Sequence, residues 1–149
     1  MQNIEQIVVP VDFHQHTQDL AAFAVNIASK LGAKITFLHL SRHFAEVAQY
    51  AADFHSTMIT VDEELYTYAR NKMDALLASV KRDYPDCDGV VLRGEAADGI
   101  VDFVKDRSNC LIVMGTHGAK GIEKILLGSV ADQVLKRAAC PILMFNPYR

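Results

Sequence analysis

The sequence predicts an α/β protein built on an open five-stranded parallel sheet, order 3-2-1-4-5, with helices on both faces. Three observations predict it. Short apolar, β-branched runs alternate with amphipathic helical stretches to the end of the chain. Those runs are apolar throughout, as strands covered on both faces are, rather than apolar at every second residue. Polar clusters follow the first and fourth runs, and ligands in such sheets bind beyond the carboxyl ends of the strands, where the order reverses. Both clusters reach one ligand only if strands one and four are neighbours. With right-handed crossovers, that favours 3-2-1-4-5 over the flavodoxin-type order.

Ile4 to Val11 (IEQIVVPV) reads as the first strand. Thr17 to Leu31 is helical, with Leu20, Ala24, Ile27, Ala28 and Leu31 on one face; Thr17 can cap its start and Gly32 follows its end. Ile35 to Leu40 (ITFLHL) is the second strand. Arg42 to Thr57, alanine-rich with aromatics, fits either a loop or a short helix. Val61 to Arg82 is a long amphipathic helix, with Leu65, Ala69, Met73, Leu76, Leu77 and Val80 at helical spacing, ended by Tyr84-Pro85-Asp86. Val90 to Leu92 is a short third strand, and Ala96 to Lys105 a helix with Ile100, Val101 and Val104 inward. Cys110 to Met114 is the fourth strand. Val130 to Ala138 is the last helix, with Val130, Val134, Leu135 and Ala138 apolar. Pro141 to Phe145 is the fifth strand, a proline being tolerated at a strand's first residue.

The 149 residues read as one domain, within the ~100–200 usual for one. Half are apolar, enough for a sizeable core. A net charge of −3 argues against nucleic acid as main partner, which normally shows as a basic patch. No apolar run approaches the ~18 residues of a membrane span. The opening MQNIEQIVVPVD lacks the basic segment and apolar core of a secretory signal. Cys87, Cys110 and Cys140 are odd in number, far apart in sequence and not in a C-x-x-C pair. They argue against a disulfide scaffold or a zinc site and fit a reducing cytoplasm.

The chemistry concentrates in MGTHGAKGIEKILLGSV, Met114 to Val130, where Gly115, Gly118 and Gly128-Ser129 stand at fixed offsets after a strand and before a helix. Glycines let the backbone approach a phosphate or adopt positive φ, and N–H groups at a helix start point at the anion. The spacing excludes a Walker loop and a G-x-G-x-x-G fingerprint. The phosphates would instead be held by both ends of one long loop. Ser129, with Asp132 three residues on, sits where a helix cap belongs and can also donate to a phosphate. Asp12, ending the first strand, can accept from a ribose hydroxyl or an adenine amino group. Lys120 and Lys124 can neutralise phosphates or simply be solvated, and His117 can touch phosphate or be plain loop surface. His14 and His16 lie near the mouth, within reach of phosphate or a metal. His39, between Leu38 and Leu40, reads as a satisfied core histidine; His43 and His55 share no metal-ligand spacing with the others. Tyr50, Phe54, Tyr66 and Tyr68 read as packing. No G-x-S-x-G elbow or His-Glu-x-x-His pair occurs, and Glu95 and Asp98 fall at no evident reacting centre.

These residues resemble the universal stress protein family in its ATP-binding branch. Its signature G-x2-G-x9-G-[S/T] is met by Gly115, Gly118, Gly128 and Ser129, and the resemblance covers essentially the whole chain: VVPVDF, FLHL, Arg93-Gly94-Glu95, MGTHG, ILLGSV and CPILMF. It implies a Rossmann-like sheet of the adenine nucleotide alpha hydrolase-like kind, in the order reached above. It implies ATP, AMP or ADP as ligand, with Mg²⁺ accompanying a triphosphate. Val11, Asp12, Leu40, Met114 and Gly115 would face adenine and ribose, and Gly118, Gly128, Ser129 and Val130 the phosphates. It also implies a homodimer through Ile142 to Phe145. The expected function is a cytoplasmic, nucleotide-dependent regulatory module of the stress response. The alternatives are a slow ATPase or self-phosphorylating enzyme using Lys120, Lys124 and His117, and a nucleotide-free signalling scaffold. Nucleotidyl transfer is disfavoured, because DFHQHT lacks both S-G-G-x-D-S and H-x-G-H.

Overall fold

The structure, a computed structural model, describes residues 3–42, 52–117 and 127–149, with 52–60 described for their backbone alone. Its elements in chain order are β1 (Gln6–Pro10), α1 (Thr17–Leu31), β2 (Lys34–Ser41), α2 (Ala52–Val80), β3 (Cys87–Arg93), α3 (Ala96–Val104), β4 (Cys110–Gly115), α4 (Ser129–Arg137) and β5 (Ile142–Phe145). The sheet runs β3-β2-β1-β4-β5, and every neighbouring pair is parallel. This is the order expected from the sequence.

Successive strand residues point to opposite faces, so the apolar runs divide into two cores. Ile7, Val9, Ile35, Phe37, Leu111 and Val113 meet α1 and α2 through Leu20, Ala24, Ala28, Met73 and Leu76. Val8, Leu38, Ile112 and Met114 meet α3 and α4 through Ala97, Ile100, Val104, Ala131 and Val134. Phe37, Ile7 and Ile35 are wholly buried, and each such side chain contributes about 1.5–3 kcal/mol relative to exposure. Covering both faces is what makes the strands apolar throughout.

Local chemistry sets the element ends. Gly32 adopts φ 67° and its N–H reaches the Ala28 carbonyl, closing α1 in the left-handed form glycine tolerates. Glu95, unplaced in the sequence reading, is the cap of α3: its carboxylate accepts from the Ala97 and Asp98 N–H groups at 3.0 and 2.8 Å. Asp98 then pairs with Arg137 at 2.8 Å, tying α3 to α4 on the surface.

Several expectations need correcting. Thr17 is the first residue of α1 rather than its cap; His16 holds the cap position and makes no side-chain cap bond, and Thr17 Oγ1 is buried without a partner. Ser129 likewise opens α4 after Gly128, and Asp132 pairs with Lys136 instead of completing a capping box. The second helix starts at Ala52, not Val61, and ends at Val80, so part of the ambiguous Arg42 to Thr57 stretch is helical; residues 43–51 lie outside the described residues. β3 is longer than Val90 to Leu92 because its first half, Cys87 to Gly89, also pairs with β2. Leu31, Leu65 and Leu135, read as apolar-face positions, are 45%, 38% and 51% exposed. Tyr68 is exposed beneath Lys72. Tyr66 lies under Arg93, with 4.5 Å from the guanidinium carbon to the ring centre. Tyr50 and the Phe54 side chain lie outside the described residues.

Gly99 of α3 packs directly beneath Leu40, and a Cβ there would overlap the Leu40 branch. Gly99→Ala gains about 1 kcal/mol of helix propensity, yet overpacking costs about 1–3 kcal/mol. We expect a net loss, read as a lower Tm by calorimetry; a rise would mean that Leu40 moves aside freely.

Candidate functional site

A cleft of about 540 Å³ opens beyond the carboxyl ends of β1, β2 and β4, within the ~300–1,000 Å³ range of small-molecule sites. A cavity of about 130 Å³ between α2 and β3 is far smaller. The pairing of β1 with β4 creates the cleft's position, because it sets the ends of both strands side by side. Val11, Asp12, Leu40, Met114, Gly115, Gly128, Ser129 and Val130 all line it. Gly118, Lys120 and Lys124 lie outside the described residues, as do His43 and the His55 side chain.

One wall is the start of α4. Its ladder begins with the Asp132 N–H on the Gly128 carbonyl at 2.9 Å. The N–H groups of Ser129, Val130 and Ala131 therefore have no acceptor within the helix. These residues line the cleft, so the positive end of the helix dipole serves it. Thr116 fixes that wall. Its N–H donates to the Phe145 carbonyl at 2.9 Å, and its carbonyl accepts from the Gly128 N–H at 2.7 Å. One residue thus joins the end of β4, the end of β5 and the start of α4.

Neither Gly115 nor Gly128 uses a left-handed dihedral angle. Gly128 has φ −67° and ψ 160°, which any residue adopts, and Gly115 is not among the positive-φ glycines. A Cβ on Gly115 would sit in ordinary van der Waals contact with the protein, 3.4 Å from the His117 carbonyl oxygen and 3.9 Å from that of Phe145, so the fold itself does not demand glycine there.

The opposite wall is the β1–α1 turn. Asp12 is exposed and lines the cleft, and its Oδ1 accepts from the His14 N–H at 3.0 Å. Phe13 follows with φ 60°, a strained angle for a bulky residue. It is held against His39, with ring centres 4.7 Å apart. His39 is satisfied, as expected, but lines the cleft instead of sitting in the core. Its Nδ1 lies 2.7 Å from the Val11 carbonyl. A carbonyl only accepts, so Nδ1 carries the proton. Burial pushes the imidazole pKa down, outweighing the Val11 bond and the Asp12 charge.

At the mouth, His16 and His117 flank Tyr148, edge to face at 5.1 and 5.3 Å. The Tyr148 hydroxyl is 3.3 Å from His16 Nε2, and Thr116 Oγ1 is 2.7 Å from His117 Nδ1. His14 is exposed and does not line the cleft. No group of three or more histidine, cysteine or acidic side chains is arranged to hold a metal among the described residues. Sequence reasoning missed Thr116, Tyr148 and Pro147. Thr116 is visible only as the residue between Gly115 and His117, and the Tyr148 contact needs the tertiary fold.

Residues 3–146 match the universal stress protein family. The chain belongs to that family. Universal stress protein MJ0531 of Methanocaldococcus jannaschii is 29% identical over 141 residues, 94% of this chain and 81% of that protein. The structure of universal stress protein UspA from Lactobacillus plantarum superposes with a TM-score of 0.84 at 22% identity, covering 97% of this chain and 99% of that one. The universal stress protein from Archaeoglobus fulgidus in complex with dAMP superposes at 0.63 and 20% identity, covering 96% and 98%. These structural likenesses show that the fold is the family's, a five-stranded parallel sheet with the order found here.

The lowered His39 pKa makes stability pH-dependent. The unfolded chain binds this proton more readily than the folded one, so stability is full above the ordinary imidazole pKa of about 6.5. It falls as the pH drops through the lowered folded value. Between about pH 7.5 and pH 5, urea midpoints of His39→Gln, which keeps a donor for Val11, should fall less than those of the parent. An equal fall would assign the acid sensitivity elsewhere.

Proposed function

We propose that residues 1–149 form one universal stress protein domain that binds an adenine nucleotide and acts as a cytoplasmic, nucleotide-dependent regulatory module in the stress response. The observation that carries this reading is the set of helix-free N–H groups at Ser129, Val130 and Ala131, facing the same cleft as Asp12. An anion-binding helix end and a carboxylate acceptor, joined by an apolar floor, match a nucleotide's phosphate, ribose and base. Asp12 accepts from the ribose or the adenine amino group. Val11, Leu40, Met114 and Gly115 form the surface under the base and sugar. Gly128, Ser129 and Val130 hold the phosphates, with Gly118 in the same signature. The dAMP complex of the Archaeoglobus relative supports adenine as the base.

ATP would bring Mg²⁺ with it. Mg²⁺ keeps several waters and is held largely by phosphate oxygens, so it would come with the triphosphate and need no dedicated protein cage. The ion would neutralise the phosphates. Cytoplasmic placement is supported by three free thiols and by the lack of a membrane-crossing helix among the described residues. We propose also a homodimer through β5, an edge strand whose four residues are all half-buried in the monomer.

Denaturing the purified protein and identifying released nucleotide by chromatography with mass detection tests the reading. Calorimetric titration with ATP, ADP and AMP completes it. Ser129→Ala and Asp12→Asn should each weaken binding about tenfold, the ~1.4 kcal/mol of one hydrogen bond. Protein that is empty and binds no adenine nucleotide at millimolar concentration would leave the scaffold reading standing.

A further inference from the structure

Cys110 and Cys140 stand far apart in sequence, and the sequence reading gave them no partner. The sheet brings them together. The β4–β5 ladder pairs Ile112 with Ile142, and it continues below β5, where the Ile112 N–H donates to the Pro141 carbonyl at 3.0 Å. Two residues before Ile112 and Ile142 stand Cys110, the first residue of β4, and Cys140, in the bend that leads into β5. Both belong to the apolar cluster on the α3–α4 side, so both side chains emerge on one face. The two thiols are near enough for each to perturb the other's titration. Neighbouring strands are spaced ~4.7–4.9 Å apart, inside the ~4.4–6.8 Å between Cα atoms that a disulfide spans. Cys87 begins β3, at the opposite edge of the sheet, and reaches neither.

We propose that Cys110 and Cys140 form a reversible, peroxide-responsive dithiol pair that closes to an intramolecular disulfide across β4 and β5. Cys140 is half-buried and Cys110 almost wholly buried, which assigns the order of events. The Cys140 thiolate attacks hydrogen peroxide, breaking the O–O bond; the sulfur becomes a sulfenic acid and the departing oxygen leaves as water. The Cys110 sulfur then attacks the sulfenic sulfur, forming the S–S bond and releasing a second water. Two thiols and one peroxide give one disulfide and two waters. A dithiol reductant reverses the change.

Burial pushes the Cys110 thiol up to about 12, and burial raises Cys140 as well. The pair is therefore slow at neutral pH, and its selectivity rests on proximity: a sulfenic acid on Cys140 has its resolving thiol already nearby. The bond would close the segment from Cys110 to Cys140, which carries the cleft's glycine loop and α4, without entering the cleft. The inference does not depend on what the cleft binds.

The test uses the full-length protein, treated with hydrogen peroxide, alkylated under denaturing conditions and mapped with trypsin. We expect an intact mass two hydrogens lighter before alkylation, with only Cys87 then alkylated. Peptides 108–120 and 138–149 should be found joined, and dithiothreitol should restore alkylation of all three cysteines. Cys87→Ser should still cross-link and Cys110→Ser should not; if the latter fails to fold, the peptide map of the parent protein decides. Closing a loop of about 30 residues should raise Tm by roughly 10 °C in the oxidised form. The proposal is overturned if Cys140 ends as a sulfinic acid while Cys110 remains alkylatable, or if peptide 138–149 is joined to a second copy of itself. It is also overturned if all three thiols survive, or if the oxidised form melts lower.

Discussion

The hydrogen bond from the Gly128 N–H to the Thr116 carbonyl, 2.7 Å long, is the constraint on which the cleft depends. It pins together the two ends of the glycine loop. Without it the start of α4 would be placed only by the packing of Ala131 and Val134, and the free N–H groups of Ser129 and Val130 would point wherever that packing let them. Thr116 is buried, so its bonds are made out of water, where they are stronger and where losing one leaves an unsatisfied group. The same residue donates to Phe145. The α4 wall of the cleft is thereby braced against the edge of the sheet, and the Phe145 ring is braced in turn against Phe23 of α1, 5.0 Å away.

The second constraint is topological. Pairing Ile7 with Leu111 and Val8 with Ile112 puts β1 beside β4. Extended along the strands, that register delivers Asp12 and Gly115 to one place. No local propensity produces this. It follows from crossovers that must be right-handed and from two faces that must both be covered. The apolar residues at even and odd positions of β1, β2 and β4 are that requirement written in sequence. Phe13 shows what the fold absorbs at this point: a bulky residue at φ 60°, held by its contact with His39, turns the chain sharply after Asp12.

This explains what was legible in the sequence and what was not. Strand order and the polar ends of β1 and β4 could be read because they depend on patterns that both cores impose. The cleft residues could be read because glycines before a helix have few other uses. The caps could not. Thr17 and Ser129 have the right side chains at nearly the right places, yet each lies one residue inside its helix, because helix starts are set by the turn that feeds them. Glu95 caps α3 from a position that looked merely acidic. The loop glycines were expected to allow close backbone approach or positive φ, and of the two, positive φ is not used at Gly115 or Gly128. The burial of Leu31, Leu65 and Leu135 was overestimated because periodicity says which face is apolar and not what covers it. The nearness of Cys110 to Cys140 was invisible for the same reason as the Tyr148 contact: both are made across strands or segments that only the finished sheet aligns.

β5 is the point where these threads meet. It has four residues, one neighbour and no fully buried side chain, so it is the strand least secured by its own burial. Yet its last carbonyl supports Thr116, and Pro147 just beyond it lines the cleft. A strand held by four ladder positions can fray from either end, because each end has few bonds to lose. Fraying from the carboxyl end would free Thr116 directly. Fraying from the amino end would do so once it had run the length of the strand. The paired thiols sit at the amino end and the Thr116 bond at the other. A covalent link between Cys110 and Cys140 would therefore remove one of the two routes by which the cleft's support is lost, while leaving every residue of the cleft unchanged.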